Sequence, residues 1–576
     1  MGGKASVDSI LALDKRIEEM AAEFVQLKRS RNSLLTVARV SPEVLGYIFR
    51  LCAIPAAADG DFAGLRKDSH NFLTVCHRWF EVARRTPELW SFWGNTLEDW
   101  KRQRPRSGTS PLDLILERRV RLSSTVNHEA GTSDEEGYQV GTCDEEEGRV
   151  NPFNRALRDT LRDYARRGAI RKVHLKGDDT RLLTTIISAL TPKNDDTQDS
   201  SIESIILGVP DSPNLPQRRA PTDGVDASNF FSRHRFPKLR HLSFSGYLKI
   251  SSWAWACLKS RATGLVNLSL SPDSTLTTSQ ILLLLASNPN LRSLTLVLWK
   301  VDVERGSGSK SRVALHRLEK LTFKGEPHHV FPILHRLDLP ERLDRTTLVF
   351  YSARTGDIRK TIAPHIPDYL HRDPRFKDRL GISVWAGQGG LSLRVSGIGV
   401  GYHGPGRLPQ QVPPYATFSM TLRFVDPEDR ETLFISILAR LPQESIVYFE
   451  TNLTMDATKE MVATMPNLEA LYLVEPEVSS GFLLHNPNGP NSQAKLLPSL
   501  RRLYLEVAEE EARDWSPLVR YITHQISGNH VFSLNLYGHH TEIPPGLVER
   551  IGYLVEEFIC GPGPGRDRPF HQRHEM

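Results

Sequence analysis

Cysteine is scarce in this chain. The five among 576 residues, Cys52, Cys76, Cys143, Cys257 and Cys560, stand far apart and form no Cys-x-x-Cys pair. That excludes a disulfide framework and a zinc ribbon, and it fits a reducing cytosolic or nuclear compartment. The sequons at Asn267 and Asn452 are then chance matches. Long apolar runs are missing too: the longest aliphatic stretch, Ile281 to Ala286, is six residues, far short of a bilayer span. No apolar leader with a cleavage site opens the chain, so neither secretion nor a membrane location is expected. Met1-Gly2-Gly3-Lys4-Ala5-Ser6 fits N-myristoylation at Gly2, but one acyl chain without a polybasic neighbour anchors only marginally. A formal charge of +5 is too mild, and an aromatic–basic stripe too plainly lacking, for a nucleic-acid partner.

Catalytic signatures are equally absent. There is no Gly-x-Ser-x-Gly elbow, no phosphate-binding Gly-x-x-x-x-Gly-Lys loop and no His-Glu-x-x-His. Gly399 to Gly404 matches the letters of a dinucleotide fingerprint, but Pro405, Pro409, Pro413 and Pro414 forbid the helix that must come next. His328-His329 and His539-His540 lack acidic or cysteine ligands at metal spacing and read as surface histidines. The expectation is a non-enzyme with no catalytic residues, cofactor or metal.

What is present is ordinary globular material, 39% hydrophobic and 24% charged, long enough for a few domains. Residues 10–34 carry a heptad: Ile10, Leu13, Ile17, Met20, Phe24, Leu27 and Leu34 at alternating three- and four-residue steps, with Arg31 breaking the seam. This predicts a helix with one apolar stripe, packed on its own protein, standing as an arm, or weakly self-associating. In the block 37–93, Ser41 is an N-cap and Pro42 a first helical residue, followed by apolar 44, 45, 48 and 49. A second stripe runs from Leu73 to Ala83, and Thr86-Pro87-Glu88-Leu89-Trp90 starts a short turn. The basic run Lys101 to Arg106 reads as solvated surface. Residues 123–148 hold eight acidic residues and no lysine or arginine, a composition that predicts a disordered linker.

From about residue 165 the pattern Leu-x-x-Leu-x-Leu recurs, other apolar residues allowed. It occupies 170–175, 202–207, 239–244, 265–270, 291–296, 318–323, 468–473, 500–505 and 531–536. The starts at 239, 265, 291 and 318 are 26, 26 and 27 residues apart, the period of leucine-rich repeats. A proline stands two residues before the first leucine at Pro237, Pro289, Pro466 and Pro498. Each unit supplies a strand and a helix, and stacking buries a continuous core. Between 331 and 460 the strands at 345–350, 382–385, 391–395 and 418–424 read as diverged repeats with insertions. The residue between the last two leucines points to the opposite face. Down the chain it is His174, Ile206, Ser243, Ser269, Thr295, Thr322, Tyr472, Tyr504 and Asn535, a hydroxyl strip opening onto a tyrosine pair along a concave substrate face.

Three stretches of the helical block are similar to a known module. Val40-Ser41-Pro42-Glu43-Val44-Leu45-x-x-Ile48-Phe49, Val75-Cys76-His77-Arg78-Trp79 and Thr86-Pro87-Glu88-Leu89-Trp90 resemble the F-box-like family expanded in mushroom-forming fungi. Ser41 stands where that family has proline, and the stretch between Cys52 and Leu73 is long. The resemblance implies binding to the Skp-type adaptor of a cullin–RING ubiquitin ligase, with the repeats holding an unidentified protein substrate. Val40, Pro42, Leu45, Ile48, Phe49, Val75, Trp79, Leu89 and Trp90 would then divide between the module's core and its adaptor face. The rival expectation is a repeat scaffold that never engages a ligase. The fold class expected is an α/β solenoid of leucine-rich repeats, parallel strands plus helices, preceded by a small all-α module and an N-terminal helix. The boundaries are helix 1–36, module 37–95, linker 96–160, repeats 161–545 and tail 546–576.

Overall fold

The computed structural model describes residues 3–35, 39–53, 74–90, 92–93, 107–108, 110–118, 152–177, 180–191, 198–208, 225–246, 248–272, 276–298, 301–302, 312–351, 379–387, 390–397, 417–423, 435–453, 455–474, 499–507, 533–538, 545–555 and 557–561, with residues 370, 376 and 523 singly. Gly2, the basic run 101–106, the acidic stretch 123–148, the pattern at 399–404, Pro498, His539-His540 and the tail beyond 561 lie outside these. The chain divides into two compact units, Met1–Leu265 and Val266–Met576.

In the first unit, α1 (Gly3–Ser33) forms over the heptad, and its stripe faces solvent: Ile10, Leu13, Ile17, Met20, Phe24 and Leu27 are 50–64% exposed. Among the described residues the stripe does not pack on its own protein, which leaves the arm and the weakly self-associating helix as readings. Helix α2 (Pro42–Ala53) begins as its sequence dictates, with Ser41 Oγ accepting the Val44 amide at 3.3 Å. Together with α3 (His77–Arg84) and a 3₁₀ turn at Pro87–Trp90 it closes a small core of Leu45, Phe49, Val82, Ala83, Leu89 and Trp90. Val40 and Trp79 pack against that core, the Trp79 ring edge-on to Phe49 at 5.0 Å. The Trp90 indole donates to the Ala83 carbonyl at 2.8 Å, satisfying the one polar atom this side chain buries.

The module leads into a parallel sheet: a two-residue strand at Phe92–Trp93, then β1 (Leu112–Arg118), β2 (Ile170–Gly177), β3 (Ser204–Gly208) and β4 (His241–Gly246), paired in that order. Helices α4 (Pro152–Arg166), α5 (Thr180–Leu190), α6 (Ser228–Arg233) and α7 (Ser252–Arg261) connect the strands. The linker boundaries 96–160 therefore need correcting, because β1 and most of α4 fall inside them. The strand escaped notice because Asp113, fully buried, stands between Leu112 and Leu114 and looks like a loop residue.

The second unit continues the same pattern with β5 (Asn267–Pro272), α8 (Thr278–Ala286), β6 (Ser293–Leu298), β7 (Lys320–Gly325), α9 (Pro327–Leu334) and β8 (Arg345–Phe350), neighbouring strands parallel and in register. The leucine patterns at 239, 291, 318 and 468 enter their strands through the same kind of turn. The amides of Leu239, Leu291 and Leu468 donate to the carbonyls of Phe236, Asn288 and Met465 at 3.2–3.3 Å. Pro237, Pro289 and Pro466 sit at the second turn position, where a fixed φ is already correct. Helix α8 starts with a capping box between Thr277 and Gln280, which satisfies two amides that a helix start leaves unpaired. At the end of β7, Gly325 has φ +153°, and a Cβ there would be driven into the Leu298 carbonyl. Gly325→Ala is accordingly expected to destabilise this unit by about 1–3 kcal/mol. A urea midpoint equal to wild type would refute that.

Beyond β8 the chain departs from a simple stack. Strands β9 (Leu380–Gly387), β10 (Gly390–Gly397), β11 (Thr417–Arg423) and β12 (Ile446–Thr451) lie in the spatial order β8-β11-β10-β9-β12. β10 is antiparallel to both its neighbours. The reading of 331–460 as diverged repeats with insertions therefore needs correcting at one strand: β9 and β11 run with the repeat strands, while β10, read as a repeat strand at 391–395, is itself an inserted return strand. Alternating apolar residues report burial but not direction, so the sequence could not reveal this. After β12 the parallel order resumes with α10 (Met455–Val462), β13 (Ala470–Val474), β14 (Arg502–Val507), β15 (Ser533–Gly538), α11 (Pro545–Gly552) and β16 (Glu557–Gly561). The repeats thus run past residue 545, into what was expected to be tail. One face of this sheet is core, as in the register row Leu268, Leu294, Leu321, Thr346, Phe418, Val395, Ile382, Phe449, Leu471, Leu503 and Leu534, every one buried.

Candidate functional site

Two faces carry side chains without an obvious structural duty, one in each unit. The first is on α2. Leu45 and Phe49 point into the module core, but Val44, Tyr47, Ile48 and Leu51 are 40–56% exposed. These four stand at i, i+3, i+4 and i+7, so they form one outward stripe on a helix that is apolar on both sides. The nine residues named from sequence now sort. Leu45, Phe49, Leu89 and Trp90 are core, and Val40 and Trp79 brace it, whereas Pro42, Ile48 and Val75 are surface. Sequence reasoning missed Val44, Tyr47 and Leu51; the helical spacing around Ile48 was the signal. Beside this stripe opens a cleft of about 580 Å³ lined by Tyr47, Arg50, Arg78, Arg85, Glu81 and Glu88. Four of its charges are paired, Arg50 with Glu88 at 3.5 Å and Arg85 with Glu81 at 3.8 Å, and Arg78 donates to the Val40 carbonyl, which leaves it no strong demand for a charged ligand.

The second face is the non-core side of the second unit's sheet. Register places Ser269, Thr295, Thr322, Thr347, Ser419, Arg394, Ser383, Glu450, Tyr472, Tyr504 and Asn535 in one row across β5-β6-β7-β8-β11-β10-β9-β12-β13-β14-β15. Ser269, Thr295, Thr322, Tyr472, Tyr504 and Asn535 were expected in such a row. The five residues from Thr347 to Glu450 were not, because their strands lack the leucine pattern that fixes register. Ser243 belongs to the first unit, in a row with Ile206 and His174. That row is not an open strip. His174 is 3% exposed, its Nε2 2.8 Å from Ser204 Oγ. Tyr504 also needs correcting: only 8% exposed, it packs on Tyr472 with ring centroids 5.7 Å apart, so the pair is half enclosed.

At the middle of the row, Glu450 Oε2 accepts from Ser383 Oγ at 2.6 Å and from the Tyr448 hydroxyl at 3.3 Å. Burial, then the Glu450 charge, pushes the Tyr448 phenol well above its ordinary range, which keeps it a protonated donor. Arg394 lies across β9 from Glu450. Burial pulls its guanidinium below the ordinary arginine value, Glu450 opposes that shift, and the like charge of Arg345 adds to it.

One further cluster corrects the histidine reading. Glu326 stands just ahead of His328-His329, and the three bring ligand atoms within 4.8 Å of one another. The carboxylate already pairs with His328 Nδ1 at 3.3 Å. The group also sits at the N-terminus of α9, whose dipole works against a cation. Among the described residues no helix is long and apolar enough to cross a membrane.

The chain matches no family model, and no curated protein matches it.

Proposed function

We propose that this chain is a non-catalytic substrate receptor of an SCF-type cullin–RING ubiquitin ligase. The helical module docks on a Skp-type adaptor, and the polar sheet face of the second unit holds the target protein. The observation that carries the reading is the outward stripe Val44, Tyr47, Ile48 and Leu51, on a helix whose inner side already supplies the module's core. A monomer has no use for such a stripe, and covering it contributes about 1.5–3 kcal/mol per aliphatic side chain. The motif resemblance at Val40–Phe49, Val75–Trp79 and Thr86–Trp90 supplies the kind of partner. The alternative, a repeat scaffold outside any ligase, keeps the second face and discards the first.

The test is co-purification of the full chain with the adaptor, and titration of the pair. Tyr47→Asp with Leu51→Asp is expected to weaken binding at least a hundredfold while leaving the melting profile unchanged, since neither side chain reaches the core. Phe49→Ala serves as the contrasting variant that loses binding by unfolding the module. A native, folded chain that ignores the adaptor would leave only the scaffold.

A further inference from the structure

On the second unit's polar face the charges are segregated: Glu450 stands on β12, and the strands on the β5 side of it carry cations alone. From β5 across to β9, the residues at the face positions of the central rows include Lys320, Lys324, Arg345 and Arg394, many serines and threonines, and no aspartate or glutamate. Two of the cations converge around the inserted strand. Arg345 and Thr347 are on β8, Ser419 on β11, and Arg394 and Ser396 on β10, with β11 lying between the other two. The two arginines therefore root two strand spacings apart and two residues out of register, about 12 Å in all, a gap that their long side chains can close onto one small anion.

We propose that Arg345 and Arg394, with the hydroxyls of Thr347, Ser419 and Ser396 between them, form a binding site for a phosphate monoester carried on a bound protein segment. Neither arginine makes an ion pair among the described residues, and Thr347 Oγ1 is enclosed with no hydrogen-bond partner there. Two guanidiniums and several hydroxyl donors ask for about two negative charges and three acceptor oxygens. A phosphate monoester supplies both; a carboxylate, with one charge and two oxygens, does not. A dianion between them would screen the mutual repulsion of Arg345 and Arg394 and offset, by its own attraction, the cost of burying Arg394. The site exists because of the insertion: without β10 there is no Arg394 on this face.

The assignment rests on reading this face as the recognition surface but not on adaptor docking, so the two can fail separately. The full chain is titrated with inorganic phosphate at constant ionic strength, followed by ³¹P line width. Wild type is expected to saturate at one site with Kd in the millimolar range. R394Q and R345Q are each expected to bind at least tenfold more weakly, with R394K intermediate because it keeps charge but loses the fork. R501Q, at an exposed arginine outside the cluster, is expected to bind as wild type does. O-phosphoserine should compete with phosphate, and glutamate should not. Equal binding by wild type, R394Q, R345Q and R501Q, meaning an adventitious ion only, overturns the proposal. So does a wild-type chain that never saturates, or competition by glutamate as effective as by phosphoserine. Melting profiles of each variant guard against misfolding, and adaptor binding by R394Q is expected to equal wild type.

Discussion

Replacing Arg171 by methionine is expected to destabilise the first unit by about 3 kcal/mol or somewhat more, the low end of the cost of removing one partner from a buried ion pair. Asp113 is fully buried, and its carboxylate accepts from Arg171 Nε at 2.9 Å and Nη2 at 2.8 Å. The bidentate geometry is made possible by an irregularity: register shifts between Leu112 and Asp113, so that Ile170 and Lys172, not Arg171, are the paired residues on β2. The unpaired Arg171 is thereby turned toward the carboxylate. Hydrogen bonding to Asp113 raises the arginine's pKa. Lys172 Nζ, 3.5 Å away, remains in the variant and limits the damage. Most of the cost is the stranded carboxylate, not the lost attraction. Asp113→Asn in the Arg171→Met background should therefore recover a large part of the stability. Urea unfolding of the two single variants and the double variant measures this; a drop below about 1 kcal/mol for Arg171→Met would show that Asp113 finds water or Lys172 sufficient.

Acidification is expected to remove about 3 kcal/mol from the same unit through His174. Burial, chiefly, holds its imidazole at a pKa of about 4, with Lys172, Lys176 and His241 lowering it further and Asp113 opposing them. An unfolded histidine titrates near 6.5. Between those values the unfolded chain binds the proton and the folded chain does not, so stability is fully present above about pH 6.5. It falls as pH drops toward 4, at up to 1.36 kcal/mol per pH unit. His241, also lowered by burial, adds a smaller slope of the same sign. Denaturant titrations of wild type and His174→Gln at steps from pH 7.5 to 4.5 should diverge, wild type losing more. Parallel curves would mean that the proton is accommodated without penalty.

How much of this was legible beforehand depended on whether a pattern encodes register. The nine leucine patterns all became strands, because three large aliphatics at that spacing can be buried only along one edge of a parallel stack. Prolines 237, 289 and 466 were visible as a regularity, and the turn they occupy explains them. On α2 the pattern was readable as a helix but not as two faces, since Leu45, Phe49, Tyr47 and Ile48 look alike until something decides which pair is inside. Arg394 and Glu450 were invisible for another reason. The strand of Arg394 could be recognised and that of Glu450 was not, and their place on one face depends on the order β8-β11-β10-β9-β12, which is set by long-range pairing and leaves no local mark. Asp113 was hidden by its own polarity: nothing near it in sequence announces that Arg171 will meet it.

The inserted strand also bears on how the second unit reaches its native state. In a plain stack each strand lands on the one just made, so closure entropy stays small and order can spread outward from any point. Here β8 cannot acquire its neighbour until the chain has run from Phe350 to Thr417, and β12 must find β9 rather than the strand preceding it. The local β9–β10 hairpin can form early, but it remains a free ribbon until β11 arrives. Growth from the N-terminal and C-terminal sides of the unit therefore meets at the hairpin, where contact order is highest, and the slowest refolding step is expected to be the docking of the hairpin, through β10 to β11 and through β9 to β12, between two preassembled blocks.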